Sequence, residues 1–585
     1  MLEVKVYMAR NENLNYIEIF SNDRSIYETW HECNAGNFNL SAIEYFGNIW
    51  TFKECEELID IYANAFTALL PDKTKSVTFC MPTLPSTFFA FFALNKLGIR
   101  ANFVSHTILP SNPKEYIEET NTEILVLFDG FFQTVAKGIS KTNLKKIIIV
   151  SLSDGVQSIP DYVPDQIRAY LRKTGSAKKI KIAMPNKKII SLDKFTRIGQ
   201  KGKTDVQKAY NKGETAVVLY TGGSTGVPKG VEMTNEEIMK MAYIYAQMKN
   251  FDVNVGDKQL ILIPPNHPTS FVHTIIIPWF FGAVQSLQPL YNKNTFAYDL
   301  YTTQANFVMA APNHYATLPT CDLPNNALKD LKWTYCGGEA VSPEFAESIN
   351  RALLRLGVQN PYLIIGYGMS EIGPMAIITQ GSPGLLNKVG KPIPGVTARI
   401  VDDKGDILGD NVRGNLEIMT PCRMKGYYKL PELTNAFFTE DGFAKTGDIA
   451  VRDENGNYDI LGRLQDSITT VDGSRVYLFD VERVIYKDFA VLEAEVIGLN
   501  VDGNDVPVAH IVLNSDYTRN IEDVILRLNS LCKEHLSEQE IPHGYKIQEA
   551  FGTNPISAKR DYRALMLERS GYFAVDGNSL REVNF

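Results

Sequence analysis

Short β-branched runs alternate with stretches of helical periodicity along most of the chain. The runs are Ser76–Cys80, Ile124–Phe128, Lys146–Val150, Ala216–Tyr220, Gln259–Ile263, Phe307–Ala310 and Tyr362–Ile365. Most are bounded by Pro, Gly or Asn, and stretches read as amphipathic helices, such as Ser86–Leu97 and Glu344–Leu356, lie between them. That alternation predicts an α/β fold of parallel strands joined by crossover helices. Beyond about Val389 the texture turns to β-rich segments with Gly/Asp turns, including Ala398–Val401, Leu416–Met419 and Tyr458–Leu461, and predicts a β-subdomain. After Gly462-Arg463 the pattern restarts on a smaller scale, with strands expected at Val491–Leu499 and Val506–Leu513 and a helix at Ile521–Leu536. Residues 1–463 are therefore read as a large N-terminal domain of parallel-sheet subdomains plus the β-subdomain. Residues 464–585 are read as a small α+β C-terminal domain. The last stretch, Ser570–Phe585, has no strong periodicity and is read as a peripheral tail.

Composition narrows the function classes. With 585 residues, 44% hydrophobic and 22% charged, the chain can bury several cores, and a net charge of −8 argues against a nucleic-acid surface, which needs a concentrated positive field. The Lys-rich stretch from Arg168 to Lys208 is expected to be a solvated face. Seven cysteines without a C-x-x-C pair suit free thiols, and eight histidines without ligand spacing indicate no zinc site. The most apolar stretch, Phe271–Val284, is too short to span a bilayer and reads as a buried segment. No transmembrane segment or N-terminal signal pattern is found, and a cytoplasmic location is expected.

The most informative segment is Ala216-Val-Val-Leu-Tyr-Thr-Gly-Gly-Ser-Thr-Gly-Val-Pro-Lys-Gly-Val231, a strand running into a glycine-rich loop. Gly222, Gly223 and Gly226 let backbone N–H groups approach an anion, Thr221, Ser224 and Thr225 add hydroxyl donors, and Lys229 adds charge. Pro228 before the lysine rules out a Walker A loop. The segment resembles the signature loop of the adenylate-forming superfamily of acyl-CoA synthetases, aryl-CoA ligases, peptide-synthetase adenylation domains and luciferases. Later motifs follow in that family's order over nearly the whole chain.

Carried over residue by residue, the resemblance implies a site. Pro264-Pro-Asn-His-Pro-Thr-Ser270 falls on the acyl-pocket segment with His267 at its histidine position, although such a residue alone would more often be a core histidine. Tyr335-Cys-Gly-Gly-Glu-Ala340 resembles the turn beside adenine and the acyl group, which implicates Cys336, Gly337, Gly338, Glu339 and Ala340. Ile365-Gly-Tyr-Gly-Met-Ser-Glu371 resembles the Y-G-x-[TS]-E motif. Tyr367 and Gly368 would lie on adenine, Gly366 and Met369 at the acyl pocket, Ser370 near phosphate, and Glu371 would hold Mg²⁺. Lys445-Thr-Gly-Asp-Ile449 places Asp448 on the ribose, with Ile460 and Arg463 following. Gly473, Ser474 and Arg475 match the thiol-transfer loop, though a plain Asp-Gly hairpin turn remains open there. Asn554-Pro-Ile-Ser-Ala-Lys559-Arg-Asp-Tyr-Arg-Ala-Leu565 resembles the C-terminal catalytic loop, with Lys559 as the essential lysine.

The resemblance further implies attack of a carboxylate on the α-phosphorus of ATP, then acyl transfer to a thiol after a mobile C-terminal domain rotates about Gln465. Several positions depart from the family pattern: Gln465 at the hinge, Asn235 after the phosphate loop, Ala558 before the lysine and Asn415 for a usual Glu. Asn266–Ser270 contains no carboxylate to hold a substrate ammonium, which disfavours α-amino acids. The neighbourhood of Trp279, Phe280 and Met369 suggests an apolar tail or ring. The leading expectation is an acyl- or aryl-CoA synthetase using ATP, Mg²⁺, CoA and a small-molecule carboxylic acid. The alternatives are a stand-alone adenylation enzyme loading the phosphopantetheine of an acyl carrier protein, and a nucleotide-binding regulatory protein without turnover.

Overall fold

The computed structural model describes residues 15–585 except 22, 71–75, 158, 160–167, 170, 172–175, 203–206, 222–227, 249–250, 290–292, 380–384, 386–387, 471–472, 515–516, 518–519, 553–561 and 578. The chain forms two compact units, Met1–Ala398 with Ile418–Ala444, and Arg399–Glu417 with Lys445–Phe585.

The first unit holds two large sheets. One has eight strands in the order Gly426–Tyr427, Lys229–Thr234, Thr215–Thr221, Arg100–Phe103, Ser76–Cys80, Thr122–Phe128, Lys146–Val150 and Lys188–Ser191. Its last six strands are parallel, and the first two run antiparallel to their neighbours. The other has nine strands, with Ile364–Tyr367, Trp333–Gly337, Phe307–Ala310, Lys258–Ile261, Val284–Leu287 and Ser41–Tyr45 forming its parallel centre. A strand covered on both faces needs no polar alternation, and all five residues of Ser76–Cys80 are buried accordingly.

One apolar cluster joins these sheets, and the helix Pro85–Lys96 lies within it with all twelve residues buried. The amphipathic expectation for this segment is corrected: the helix has no wet face. Its Phe88 and Phe92 pack on Trp279, and Phe91 packs on Phe271. Three of its four polar residues have partners. Lys96 Nζ lies 2.7 Å from Asp60 Oδ1, Asn95 Oδ1 accepts from the backbone of Tyr27, and Thr87 Oγ1 donates to the Pro82 carbonyl.

The second unit is built mainly from antiparallel pairs. A four-stranded sheet runs Thr397–Val401, Gly414–Met419, Ala444–Arg452 and Tyr458–Arg463, followed by the hairpin Ser467–Thr469 with Arg475–Tyr477. A five-stranded sheet then takes Val491–Val501, Asn504–Leu513, Tyr545–Gln548, Tyr572–Asp576 and Ser579–Val583 in order, with the helices Leu478–Ile485 and Ile521–His535 in its cluster. The peripheral-tail reading of Ser570–Phe585 is corrected by the last two strands. Tyr572 is fully buried, the Phe585 ring packs 5.1 Å from it, and the Phe585 N–H donates to the Arg569 carbonyl. The turn at Asp576-Gly577 is a known hairpin signal, but the strands beside it are too short for alternation to stand out. Within the Lys-rich stretch, Lys178, Lys179, Lys181 and Lys188 are exposed, as expected of a solvated face. No helix among the described residues is long and apolar enough to cross a membrane.

Candidate active site

In the first unit the candidate residues collect at the carboxyl ends of parallel strands, where open α/β sheets bind ligands. Thr215–Thr221 ends at the glycine-rich loop, and the chain returns as Lys229–Thr234 with Thr221 opposite Lys229. Gly222, Gly223, Ser224, Thr225 and Gly226 lie outside the described residues, as does the side chain of Thr221. In the nine-stranded sheet, Trp333–Gly337 and Ile364–Tyr367 end side by side with Gly337 opposite Gly366. Cys336 is buried on the first of these strands, and burial pushes its thiol up, away from nucleophilic use. Gly338, Glu339 and Ala340 are exposed, and Tyr367, Gly368, Met369 and Ser370 are half-buried. A Cβ on Gly368 would stand 2.3 Å from the Pro374 carbonyl oxygen, so the backbone itself demands glycine there.

Glu371 sits on the short 3₁₀ turn Ser370–Ile372 and is 8% exposed. The Tyr427 hydroxyl donates to its Oε1 at 2.8 Å, and the Glu371 carbonyl accepts from the Met424 N–H at 2.9 Å. Lys229 Nζ stands 5.2 Å from the centre of the Tyr427 ring. Tyr427 arrives there because Gly426–Tyr427 pairs antiparallel with the strand that begins at Lys229. Burial, with the Glu371 charge and its hydrogen bond added, pushes the Tyr427 phenol far up, so it acts as a neutral donor. The fold thus joins the exit of the glycine-rich loop to the Glu371 carboxylate through one aromatic ring.

His267 is exposed and precedes a π-helical segment, Ser270–Ile276. Trp279 and Phe280 are fully buried, and Trp279 packs on Trp30, Phe52, Phe88 and Phe92. These two residues are core, and the expectation of an apolar tail or ring drawn from them loses that support. His273 is buried against the Tyr245 hydroxyl at 2.8 Å, and burial lowers its pKa to about 3.

The second unit carries the remaining candidates. Asp448 is buried, faces Arg463 across an antiparallel pair, and lies 2.8 Å from its Nε. Ile460 is half-buried on the same strand as Arg463, and Gln465 is exposed. Next to it, Asp466 is raised to about 6, first by burial and then by the Glu495 and Asp448 carboxylates, with Arg463 opposing. Gly473 has φ +83° at the tip of the hairpin, a conformation that favours glycine, with open space where a Cβ would stand. Ser474 is exposed, and Arg475 pairs with Asp403 at 3.2 Å. Lys559 lies outside the described residues.

The sequence profile of AMP-binding enzymes matches residues 31–428. The chain belongs to the AMP-binding enzyme family. It is an enzyme of the adenylate-forming, acyl-CoA synthetase-like kind. Among relatives, the long-chain-fatty-acid–CoA ligase of Salmonella typhimurium is 23% identical over 553 residues, covering 90% of this chain and 91% of that protein. Two solved structures share the fold. ATP-bound MatB from Rhodopseudomonas palustris superposes with a TM-score of 0.76 at 18% identity, covering 93% of this chain and 98% of the other. A benzoate CoA ligase from Burkholderia xenovorans LB400 gives 0.75 at 17%, covering 93% and 100%.

Two positions in this AMP-binding enzyme escaped the sequence reading. Nothing in Lys425-Gly-Tyr-Tyr428 announces that Tyr427 has a partner 56 residues away. Asn235, noted only as a departure, is a buried cross-link whose Oδ1 accepts from the Ile26 N–H at 3.0 Å and from Asn95 Nδ2 at 2.8 Å.

Proposed function

We propose that this enzyme activates a carboxylic acid as its acyl-adenylate, releasing pyrophosphate, and passes the acyl group to the thiol of CoA. The observation that carries this reading is the Lys229–Tyr427–Glu371 grouping beside a glycine-rich loop, within a chain that belongs to the AMP-binding enzymes. Loop amides and hydroxyls from Thr221 to Gly226, with Lys229, would hold the β- and γ-phosphates. Tyr367 and Gly368, with the Gly337–Ala340 turn, would flank adenine, and Asp448 and Arg463 would take the ribose. Lys559 would neutralise charge on the α-phosphoryl oxygens, a role that fits a reaction driven by positioning and electrostatics. Glu371 fits Mg²⁺, because Tyr427 occupies Oε1 and no described residue occupies Oε2, and a single carboxylate with substrate phosphates is a usual Mg²⁺ donor set. When bound with ATP, the ion would offset phosphate charge.

Gly473 at an open hairpin tip suits passage of a pantetheine arm, with Gln465 as the hinge between residues 1–463 and 464–585. The absence of a carboxylate in Asn266–Ser270 supports an acid without an α-ammonium group. Relatives and neighbours named as long-chain-fatty-acid and benzoate CoA ligases support CoA as the acceptor. The test is pyrophosphate release and hydroxylamine trapping across fatty, aromatic and dicarboxylic acids, repeated with free CoA. Acid-dependent release with a thioester product is expected. Release with every acid absent or unchanged overturns the reading, and adenylation without transfer to CoA overturns the acceptor.

A further inference from the structure

Tyr427 stands on a strand of only two residues, Gly426–Tyr427, at the edge of the eight-stranded sheet. Its ladder to Lys229–Thr234 is short, and at its two ends the Lys425 N–H donates to the Glu232 carbonyl at 2.9 Å and the Tyr428 N–H to the Gly230 carbonyl at 2.7 Å. So short an edge strand is weakly held by its ladder alone. Side chains beside it therefore decide how firmly the Tyr427 hydroxyl stays on Glu371.

The next residue supplies such a hold. Tyr428 packs on Gly230, where a Cβ would stand 3.3 Å from Tyr428 Cβ and 2.9 Å from Val218 Cγ1. The Arg100 guanidinium lies 4.6 Å from the centre of the Tyr428 ring, and its Nη2 donates to the Tyr428 hydroxyl at 3.2 Å. The same Nη2 donates to the Thr120 carbonyl at 3.0 Å, and the Tyr428 hydroxyl donates to the Glu119 carbonyl at 3.2 Å. Lys429, in left-handed backbone at φ +58°, adds its Nζ to the Glu119 carbonyl at 2.6 Å. Glu119 ends the π-helical turn Lys114–Glu119, and the last carbonyls of a helical turn have no partner within it and favour a cation.

Arg100 is in turn anchored in the sheet. Its Nε donates to Asn102 Oδ1 at 3.1 Å, and the Asn102 amide donates to the Thr78 and Thr122 hydroxyls, each at 3.3 Å. Thr78, Asn102 and Thr122 are buried on three adjacent parallel strands. Donors and acceptors close with one proton arrangement: the single Tyr428 hydrogen goes to Glu119, and its oxygen accepts from Arg100. A bond from a charged donor is stronger than a neutral one, and the cation over the ring adds to it.

We propose that Arg100 and Tyr428 form a latch that holds the Gly426–Tyr427 strand in place and so positions Tyr427 on Glu371 beside Lys229. This rests on the roles given to Glu371 and Lys229 under Proposed function. Every link lies within the first unit: guanidinium to Tyr428, one peptide bond to Tyr427, and hydroxyl to carboxylate. Displacement of a reacting group by about 1 Å costs up to about 100-fold in rate, but here the loss is bounded by what Tyr427 itself contributes. Arg100 and Tyr428 are positioning residues, and neither is expected to touch substrate.

The test uses the full-length protein carrying Tyr428→Phe or Arg100→Met, with Tyr427→Phe alone and combined with each. Palmitate, benzoate and anthranilate are screened by pyrophosphate exchange. The acid giving the largest response is then followed in adenylation across a Mg²⁺ series, and its preformed adenylate is followed in transfer to CoA. Tyr428→Phe is expected to slow adenylation about 3-fold and Arg100→Met about 3- to 10-fold, each raising the Mg²⁺ concentration for half-maximal rate by a similar factor. Transfer should stay within about two-fold of the parent, and neither change should add to the loss in the Tyr427→Phe background. A mere loss of folded protein would slow both half-reactions together and leave the Mg²⁺ midpoint in place. Should Arg100→Met fail to fold, Tyr428→Phe, which removes only an oxygen, decides alone. An unchanged Mg²⁺ midpoint, equal slowing of both half-reactions, or additive loss over Tyr427→Phe overturns the latch alone. Parental kinetics in Tyr427→Phe overturn it too, by removing the residue it acts through, and leave adenylation standing. A parent that exchanges pyrophosphate with no acid overturns the underlying reading, and the latch with it.

Discussion

In the first unit the candidate site residues stand at the ends of parallel strands of a largely buried sheet, whereas in the second they stand on antiparallel pairs and hairpin tips. Gly337, Gly366 and Gly368 are placed by backbone packed on backbone, with little room for adjustment. Asp448 and Arg475 are held instead by ion pairs. Packing resists change steeply, and a charge network responds to protons and partners. The first unit should therefore fail through lost stability when its site is altered, and the second through altered rates and pH response. Glu371 is the exception that makes the contrast testable, because a single tyrosine hydroxyl holds it within the packed unit.

The sharpest division is expected from Lys559→Ala. Adenylation should slow by roughly 10²–10³-fold, with thermal stability unchanged and transfer from supplied acyl-adenylate largely spared. Comparable loss in both half-reactions would remove the division of labour between the units. Gly368→Ala should act in the opposite manner, since a methyl 2.3 Å from the Pro374 oxygen forces the backbone apart. A loss of about 1–3 kcal/mol is expected in denaturant melts, and an unchanged midpoint would contradict the packed description. Tyr427→Phe should slow adenylation about 10-fold, because one hydrogen bond to a carboxylate is worth about 1.5–3 kcal/mol. A variant with parental kinetics at all Mg²⁺ concentrations would take Tyr427 out of the site.

The smallest effect concerns Asp466. Its folded pKa is raised from 3.8 to about 6, so the folded state resists losing that proton. Stability from this group is complete below about pH 4 and lost as pH rises through about 6. Asp466→Asn should remove that dependence and raise Tm at pH 7–8 by about 2–4 °C, leaving pH 4 nearly unchanged. A melt that falls at pH 8 would show that the carboxylate is stabilised by a partner instead.

Several strands were legible to the residue: Ser76–Cys80, Lys146–Val150 and Phe307–Ala310 coincide with the observed bounds. Each is a β-branched or aromatic run between chain breakers, and burial on both faces keeps it uniformly apolar. The helix Pro85–Lys96 misled because Ser86, Thr87, Asn95 and Lys96 look wet in sequence yet are buried, Thr87, Asn95 and Lys96 with internal partners. Trp279 misled in the opposite way: an aromatic near a binding motif proved to be packed among other rings. The order of motifs pointed to the family, but contacts across sequence distance carry no local mark. Tyr427 on Glu371 and Tyr572 on His510 both depend on strand pairings that bring remote segments into register.

The dry helix at the centre of the first unit also bears on how the chain is made. Sequence up to residue 100 supplies this cylinder of phenylalanines, yet part of its cover, Phe271 and Trp279, is synthesised well over 150 residues later. Until then its greasy flanks stay open in the nascent chain, which calls for chaperone shelter during translation. Fragments ending before Phe271 should accordingly gather into inclusion bodies rather than fold, whatever their nucleotide motifs.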